Sequence, residues 1–196
     1  MIPGVILAGG CSRRLGGGDK CLLPLGDASI LALVIAALRP QTGALLINSN
    51  SDPTLFLDTG LPVRADILPG RLGPLAGIHS AMLWARERGA DAVLTAPADT
   101  PFLPSDLVAR LVAALETGHA AVAASGGSLH PVIGLWPSAL AEPLQAALLG
   151  GMYRVRDWLG HISYETVEFA SGAVDPFWNI NTPDELQRAR ELVSAR

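Results

Sequence analysis

The chain has 196 residues, 49% of them hydrophobic, and a net charge of −4 at pH 7; with a mean hydropathy of +0.36 it has the apolar material for a core, which excludes intrinsic disorder. The acidic balance gives no general attraction for nucleic acid or an anionic membrane, so an anion site must come from Arg and Lys concentrated locally. The longest apolar run, Ile30–Leu38, is about half of the roughly 20 residues that a membrane-spanning helix needs, so no transmembrane segment is expected.

Short apolar runs alternate with helical patterns along the whole chain. The first strand is expected at Gly4–Leu7, followed by a glycine-rich stretch and a helix over Ser29–Leu38. Strands at Ala44–Asn48 and Pro62–Ala65 lead to a helix over Leu75–Arg88 that Gly89 ends. Ala92–Ala96 reads as another buried strand, followed by a helix over Ser105–Glu116 with Ser105 as its cap and Gly118 as its stop. The remaining strands are expected at Ala120–Ala124, Pro131–Leu135, Thr166–Phe169 and Phe177–Ile180, with helices over Ala139–Leu148, Tyr153–Leu159 and Pro183–Ser194. This β/α alternation predicts an α/β fold, a three-layer sandwich around a mainly parallel, mixed sheet, in a single domain spanning 1–196. Ligands of such sheets lie beyond the carboxyl ends of the strands, so the residues after each apolar run carry the functional reading.

The first strand runs into the glycine-rich stretch as VILAGGCSRRLGGGDK, Val5 to Lys20. Its LAGGC resembles a lipoprotein cleavage box, but only Met1, Ile2 and Pro3 precede the apolar run, without the charged segment and about 7–15 apolar residues of a signal. The stretch therefore reads as mature cytoplasmic sequence. Cys11 and Cys21 show no metal-ligand spacing, which suits free thiols in a reducing compartment. The Walker pattern fails because Lys20 follows Asp19 and precedes Cys21, and the dinucleotide pattern fails because Gly9-Gly10 is followed by Cys11-Ser12-Arg13-Arg14-Leu15. Phosphate remains the best ligand class. Glycines let successive N–H groups face an anion, and Arg13, Arg14 and Lys20 add forked and point charges.

Other polar residues follow the same rule. Asp66 and Asp99 stand after strands; the first is also explained by a turn. Asp99 is either a helix cap or a carboxylate for Mg²⁺, which takes one or two carboxylates together with phosphate oxygens and water. Gly73-Pro74-Leu75 reads as a turn entering a helix, while Gly77 inside that helix costs about 1 kcal/mol relative to alanine and signals close approach by a neighbour. Thr182-Pro183-Asp184-Glu185 is a capping box. Asn179 and Asn181, two apart on an extended segment, point to one face. His79 and His130 have no partner visible in the sequence and read as ordinary packed histidines. Trp136, Trp158 and Trp178 read as core or rim aromatics, and Tyr153-Arg154-Val155-Arg156 as the opening of a helix able to offer cations.

The segment LAGGCSRRLGGGDK resembles the L-A-G-G-x-S-R-R-M-G-G-x-D-K signature of the molybdenum cofactor guanylyltransferases, the MobA-type nucleotidyltransferases, with Leu15 in place of methionine. The resemblance continues in order through Asn48-Ser49-Asn50, Asp66, Gly73-Pro74-Leu75-Ala76-Gly77, Pro97-Ala98-Asp99-Thr100-Pro101, His130-Pro131-Val132 and Asn179-Ile180-Asn181-Thr182-Pro183-Asp184-Glu185-Leu186, nearly the whole chain. It implies a Rossmann-like nucleotidyltransferase fold and transfer of GMP from Mg-GTP to the phosphate of molybdopterin, with pyrophosphate released. It implies GTP contacts from Leu7, Ala8, Gly9, Gly10, Gly17, Lys20, Asn48, Asp66, Gly73 and Asp99, with Lys20, Arg14 and Asp99 in catalysis and Mg²⁺ on Asp99. Asn179 and Asn181 are implied to meet molybdopterin. The same resemblance implies a cytoplasmic monomer, with transient contacts to other cofactor-biosynthesis proteins or molybdoenzyme chaperones. Cytidylyltransferase relatives read L-A-A-G where this chain has Leu7-Ala8-Gly9-Gly10, so the missing side chain at Gly9 leaves room for guanine. A CTP-using or sugar-phosphate nucleotidyltransferase and a non-catalytic nucleotide-binding or carrier protein are the competing readings; Lys20 with Asp99 argues against the carrier. Two departures stand out: Ser51 replaces the arginine that usually follows the Asn48-Ser49-Asn50 motif, and no proline follows Gly26 in Leu25–Ile30.

Overall fold

The computed structural model describes residues 1–9, 19–70, 72–116 and 118–194. Among the described residues nine strands form: β1 (Gly4–Leu7), β2 (Pro24–Leu25), β3 (Ala28–Ser29), β4 (Leu45–Asn48), β5 (Val63–Arg64), β6 (Ala92–Pro97), β7 (Ala120–Ser125), β8 (Ser128–Pro137) and β9 (Tyr164–Phe169). The helices are α1 (Ile30–Leu38), α2 (Pro74–Arg86), α3 (Leu107–Ala114), α4 (Ala141–Leu149), α5 (Val155–Leu159) and α6 (Pro183–Ser194). A seven-stranded sheet runs in the order β5-β4-β1-β6-β8-β7-β9. β5, β4, β1 and β6 are mutually parallel, β8 runs antiparallel to both β6 and β7, and β9 returns parallel to β7. The expected mixed, mainly parallel sheet is present.

Each face of that sheet carries its own apolar layer. Ile6, Ile47, Leu94, Ala121 and Leu135 face α1 and α3 through Leu31, Val34, Leu38, Leu107 and Leu111. Val5, Leu46, Val93, Val122 and Trp136 face α2, α4 and α5 through Ile78, Met82, Trp84, Leu144 and Trp158. Successive residues of one strand thus serve opposite layers, and both layers are helical, which is why these strands are apolar throughout rather than alternating. A third, smaller cluster ties α6 (Leu186, Ala189) to Leu25, Ile30 and Ile180.

The strand order turns at β1: the chain moves outward to β4 and β5, then returns through α2 to place β6 on the other side of β1. That is the switch point of an open α/β sheet.

The structure corrects several boundaries and one element. Phe177–Ile180 is not a strand. Its buried residues, Phe177 and Ile180, are three apart rather than two, and each enters a different apolar cluster. The α3 helix begins at Leu107 after Asp106, which makes no side-chain cap, so Ser105 is not the N-cap. It ends at Ala114, ahead of Gly118, whose φ is +82°. α5 begins at Val155, leaving Tyr153 and Arg154 before the helix. The tight β7–β8 hairpin is an addition to the expected layout. Gly126 and Gly127 have φ of +54° and +74°, the conformation that a two-residue hairpin turn demands and glycine supplies most cheaply; the Gly-Gly pair between apolar runs is its sequence signal. Gly89 follows α2 at φ +69°, as a helix stop should. The capping box is formed, with Thr182 Oγ1 accepting from Glu185 N at 3.2 Å and the Glu185 carboxylate accepting from Thr182 N at 2.9 Å.

Candidate active site

A cleft of about 630 Å³ opens beyond the carboxyl ends of β1, β4 and β6. Leu7, Ala8, Gly9, Lys20, Asn48, Asp66, Gly73, Asp99 and Asn179 line it. Gly10, Arg14 and Gly17 lie outside the described residues. The sheet itself sets the floor. Ala8 N donates to Asn48 O at 2.8 Å and Ala98 N to Leu7 O at 3.1 Å, so the backbone beyond β1 is pinned to both neighbours. At Gly9 an added Cβ would meet nothing within 4 Å among the described residues.

On the β4 side, Asn48 Nδ2 donates to Asp66 Oδ1 at 3.0 Å and to Arg64 O at 3.2 Å. Asn50 completes the arrangement. Its Nδ2 donates to Asp66 Oδ2 at 2.7 Å while its Oδ1 accepts from Asp66 N at 2.9 Å. Asp66 is therefore held as a fixed acceptor, which its strand-end position alone does not reveal. Gly77, in the second turn of α2, presses on the same group. A Cβ there would stand 2.6 Å from Asn48 Oδ1 and 3.0 Å from Leu7 Cδ2, so this glycine is required by close packing, as its helical position suggests. Gly73, at φ +73°, turns the chain into α2 with Pro74 at the first helical position.

On the β6 side, Lys20 Nζ forms an ion pair with Asp99 Oδ2 and donates to Asn181 Oδ1 at 2.5 Å. Both side chains of the ion pair are mostly buried, Lys20 at 18% and Asp99 at 14% exposure. The other carboxylate oxygen, Asp99 Oδ1, is buried with no hydrogen-bond partner among the described residues. An unsatisfied anionic oxygen at the floor of a cleft is costly unless something completes it. A hard cation would, so the donor set fits a divalent metal. Asn179 Oδ1 accepts from Thr100 Oγ1 at 2.6 Å, and Ile180 N donates to Asp99 O at 3.1 Å. Asn179 and Asn181 thus both reach back to the β1/β6 end of the cleft, although their segment is not a strand.

The neighbouring Cys21 lines the cleft but is buried; burial first, and then Asp19 and Asp99, push its thiol up to about 12. That keeps it protonated and unreactive at neutral pH. Trp136 belongs to the core, its Nε1 donating to Thr95 Oγ1 at 2.8 Å. Trp158 is buried in the same apolar layer, whereas Trp178 is half-buried and stacks on Phe102 at 6.0 Å between centroids. Arg156 Nη2 donates to Leu129 O at 2.9 Å.

A lysine paired with an incompletely satisfied carboxylate, set where the strand order reverses, is chemistry that can meet a phosphate chain and a divalent cation together. By fold and site this is a nucleotidyltransferase. Residues 4–167 match the MobA-like NTP transferase domain. The chain is 45% identical to a molybdenum cofactor guanylyltransferase of Mesorhizobium japonicum over 99% of its own length and 97% of the relative's. It is 47% identical to one from Rhizobium meliloti, over 95% and 89%. The fold matches the crystal structure of molybdopterin-guanine dinucleotide biosynthesis protein A from Archaeoglobus fulgidus with a TM-score of 0.79, at 22% identity and 100% coverage of both chains. The chain belongs to the MobA-like NTP transferase family, among the molybdenum cofactor guanylyltransferases.

Proposed function

We propose that this protein transfers GMP from GTP to the terminal phosphate of molybdopterin, forming the guanine dinucleotide of the cofactor and releasing pyrophosphate. The observation that carries this reading is the Lys20–Asp99 pair at the cleft floor with one Asp99 oxygen left over. The names of the relatives over nearly the full chain supply the substrates.

Two anions must be brought together, so the protein's work is positioning and charge neutralisation rather than proton transfer. Leu7, Ala8, Gly9 and Gly10 take the nucleoside side, with Asn48 and Gly73 shaping the same wall. Asp66, fixed by Asn48 and Asn50, offers acceptor oxygens that suit the N–H groups on the edge of guanine. Lys20, with Arg14 and the backbone around Gly17, neutralises the triphosphate. Asn179 and Asn181 take the molybdopterin side. Asp99 would hold Mg²⁺, which when bound neutralises phosphate charge and stabilises the departing pyrophosphate. Lys20 balances the Asp99 charge, and the same ammonium is proposed to meet phosphate oxygens. Among the described residues no helix is long and apolar enough to cross a membrane, and we place the protein as a monomer in the cytoplasm.

The direct test incubates the purified protein with Mg²⁺, molybdopterin and each nucleoside triphosphate in turn, following pyrophosphate release. Release with GTP and not CTP is expected. Release with CTP alone would overturn the guanylyl assignment, and none with any nucleotide would overturn the enzymatic one.

A further inference from the structure

A serine, a histidine and an aspartate meet outside the cleft. Ser125 closes β7 and is 1% exposed. Its Oγ lies 2.7 Å from His130 Nε2, on β8, and 2.9 and 2.8 Å from the two carboxylate oxygens of Asp175. The Gly126-Gly127 turn brings Ser125 and His130 together, because a two-residue hairpin folds β8 directly back along β7.

The trio is not a hydrolytic triad. In a triad the aspartate orients the histidine and the histidine receives the serine proton. Here the carboxylate contacts the serine itself, and a hydroxyl has one hydrogen to give. It goes to Asp175, so Ser125 Oγ accepts from His130 Nε2–H, which fixes the imidazole tautomer. The nucleophile's proton is committed and its oxygen is buried. What remains is a fully engaged tether between the β7–β8 hairpin and residue 175.

Residue 175 begins the segment that reaches the cleft. Asp175 Oδ1 also accepts from Phe177 N at 2.8 Å. Phe177 packs edge-on against Phe169 at 5.1 Å and tilted against His130 at 4.9 Å. Beyond it come the Asn179–Thr100, Ile180–Asp99 and Asn181–Lys20 bonds. The segment has no sheet ladder; these hydrogen bonds and the burial of Phe177 and Ile180 in two separate clusters hold it. At the far end Asn179 and Asn181 bond side chains of the cleft, with Asn181 N also donating to Glu185 Oε2, while the Asp175 end is held outside the cleft.

We propose that Ser125, His130 and Asp175 are positioning residues for the acceptor substrate: an anchor that fixes residues 175–181 so that Asn179 and Asn181 stand at the phosphate-transfer site. The proposal rests on the reading of those asparagines as the molybdopterin side. It sets a division of labour, in which the β1–β4–β5 wall with Asn48 and Asp66 binds nucleotide whether or not the anchor is intact.

Ser125→Ala, Asp175→Ala and the conservative Asp175→Asn separate the possibilities. Amide hydrogen exchange at Phe177 and Ile180 is measured on the free protein, and equilibrium binding of GTP and of molybdopterin is measured separately by calorimetry. Ser125→Ala and Asp175→Ala are expected to speed exchange at both amides and weaken molybdopterin binding about tenfold, the scale of one lost hydrogen bond to a charged group, with GTP binding within about twofold. Asp175→Asn keeps an oxygen for Phe177 N and Ser125 and is expected to restore most of both. Unchanged exchange in Ser125→Ala overturns the anchor; so does faster exchange with molybdopterin binding unaltered, or an equal loss of GTP binding. If Asp175→Ala does not fold, Ser125→Ala decides between the same outcomes with a smaller change. These binding readouts do not need turnover, so an unmodified chain that binds molybdopterin without transferring GMP would overturn the reaction, while the same binding comparison still decides the anchor.

Discussion

Lys20 is held between two elements of the cleft. It is mostly buried, and its ammonium is satisfied by Asp99 and Asn181, one from the end of β6 and one from the segment before α6. Truncation therefore removes a charge from the cleft and leaves the Asp99 carboxylate without its counter-charge. Lys20→Ala is expected to lower kcat about a hundredfold, the cost of losing one preorganised donor to developing charge, while circular dichroism stays near the unmodified protein and the melting temperature falls, because a mostly buried carboxylate has lost its partner. Full activity in that variant would remove lysine from the phosphate role. Gly77 makes the complementary case. Alanine improves an exposed helix position by about 1 kcal/mol relative to glycine, yet a Cβ here would sit 2.6 Å from Asn48 Oδ1. Asn48 cannot yield freely because it is bonded to Arg64 O and Asp66. Gly77→Ala is expected to weaken GTP binding about tenfold by calorimetry with no gain in Tm; tighter binding or a higher Tm would show that Asn48 can shift without consequence.

At the scale of elements, the strands and helices around the cleft are legible because each is a run with a punctuating residue: β1 ends in glycines, α2 starts at Pro74 and stops before Gly89, and α6 starts with a capping box. Most of the expected cleft residues that the structure describes meet in one place because the sheet's switch point gathers strand ends, a consequence of topology that the β/α alternation already contains. The departures share another cause. Residues 177–180 look like a strand by composition, but their backbone groups bond to Asp175 and to the Asp99 carbonyl rather than to a ladder. Such a segment is defined by partners 79 residues away in the case of Asn179 and Thr100, and no local pattern encodes them. The Ser125–His130–Asp175 tether is invisible in the sequence for the same reason. The capping box belongs to this scale because it also fixes Asn181, whose N–H donates to Glu185 Oε2 at 2.7 Å. Thr182→Ala is expected to destabilise the protein by about 1 kcal/mol in urea unfolding, the usual loss for a capping hydroxyl, with faster exchange over the first turn of α6. Unaltered stability would show that the Glu185 half of the box suffices.

For the whole molecule, the helical layer of α2 and α4 contains a group whose cost depends on pH. His79 is 1% exposed, and neither ring nitrogen has a hydrogen-bond partner among the described residues. Burial holds its pKa below the ordinary 6.5, opposed by the Glu142 carboxylate. His130 is shifted the same way, again chiefly by burial and against the pull of Asp175. Both are bases with depressed native pKa values, so below about 6.5 the unfolded chain binds protons that the native protein does not. Stability from their neutral forms is complete above that pH and is lost as pH falls through 6.5 toward their native values. The exposed Arg86–Glu142 pair acts in a lower window. Hydrogen bonding to Arg86 holds Glu142 at about 2 against an ordinary 4.5, so its contribution disappears only between those values as acid is added. The melting temperature is therefore expected to be flat from pH 8 to about 7 and to fall from about 6.5 to 5, ahead of any carboxylate effect. His79→Met keeps an apolar side chain of similar reach and removes both unpartnered nitrogens. It is expected to reduce that fall and to match or raise the melting temperature at pH 7. A slope as steep as in the unmodified protein would assign the acid sensitivity to His130 and the tether it completes, which Ser125→Ala in the His79→Met background would then alter.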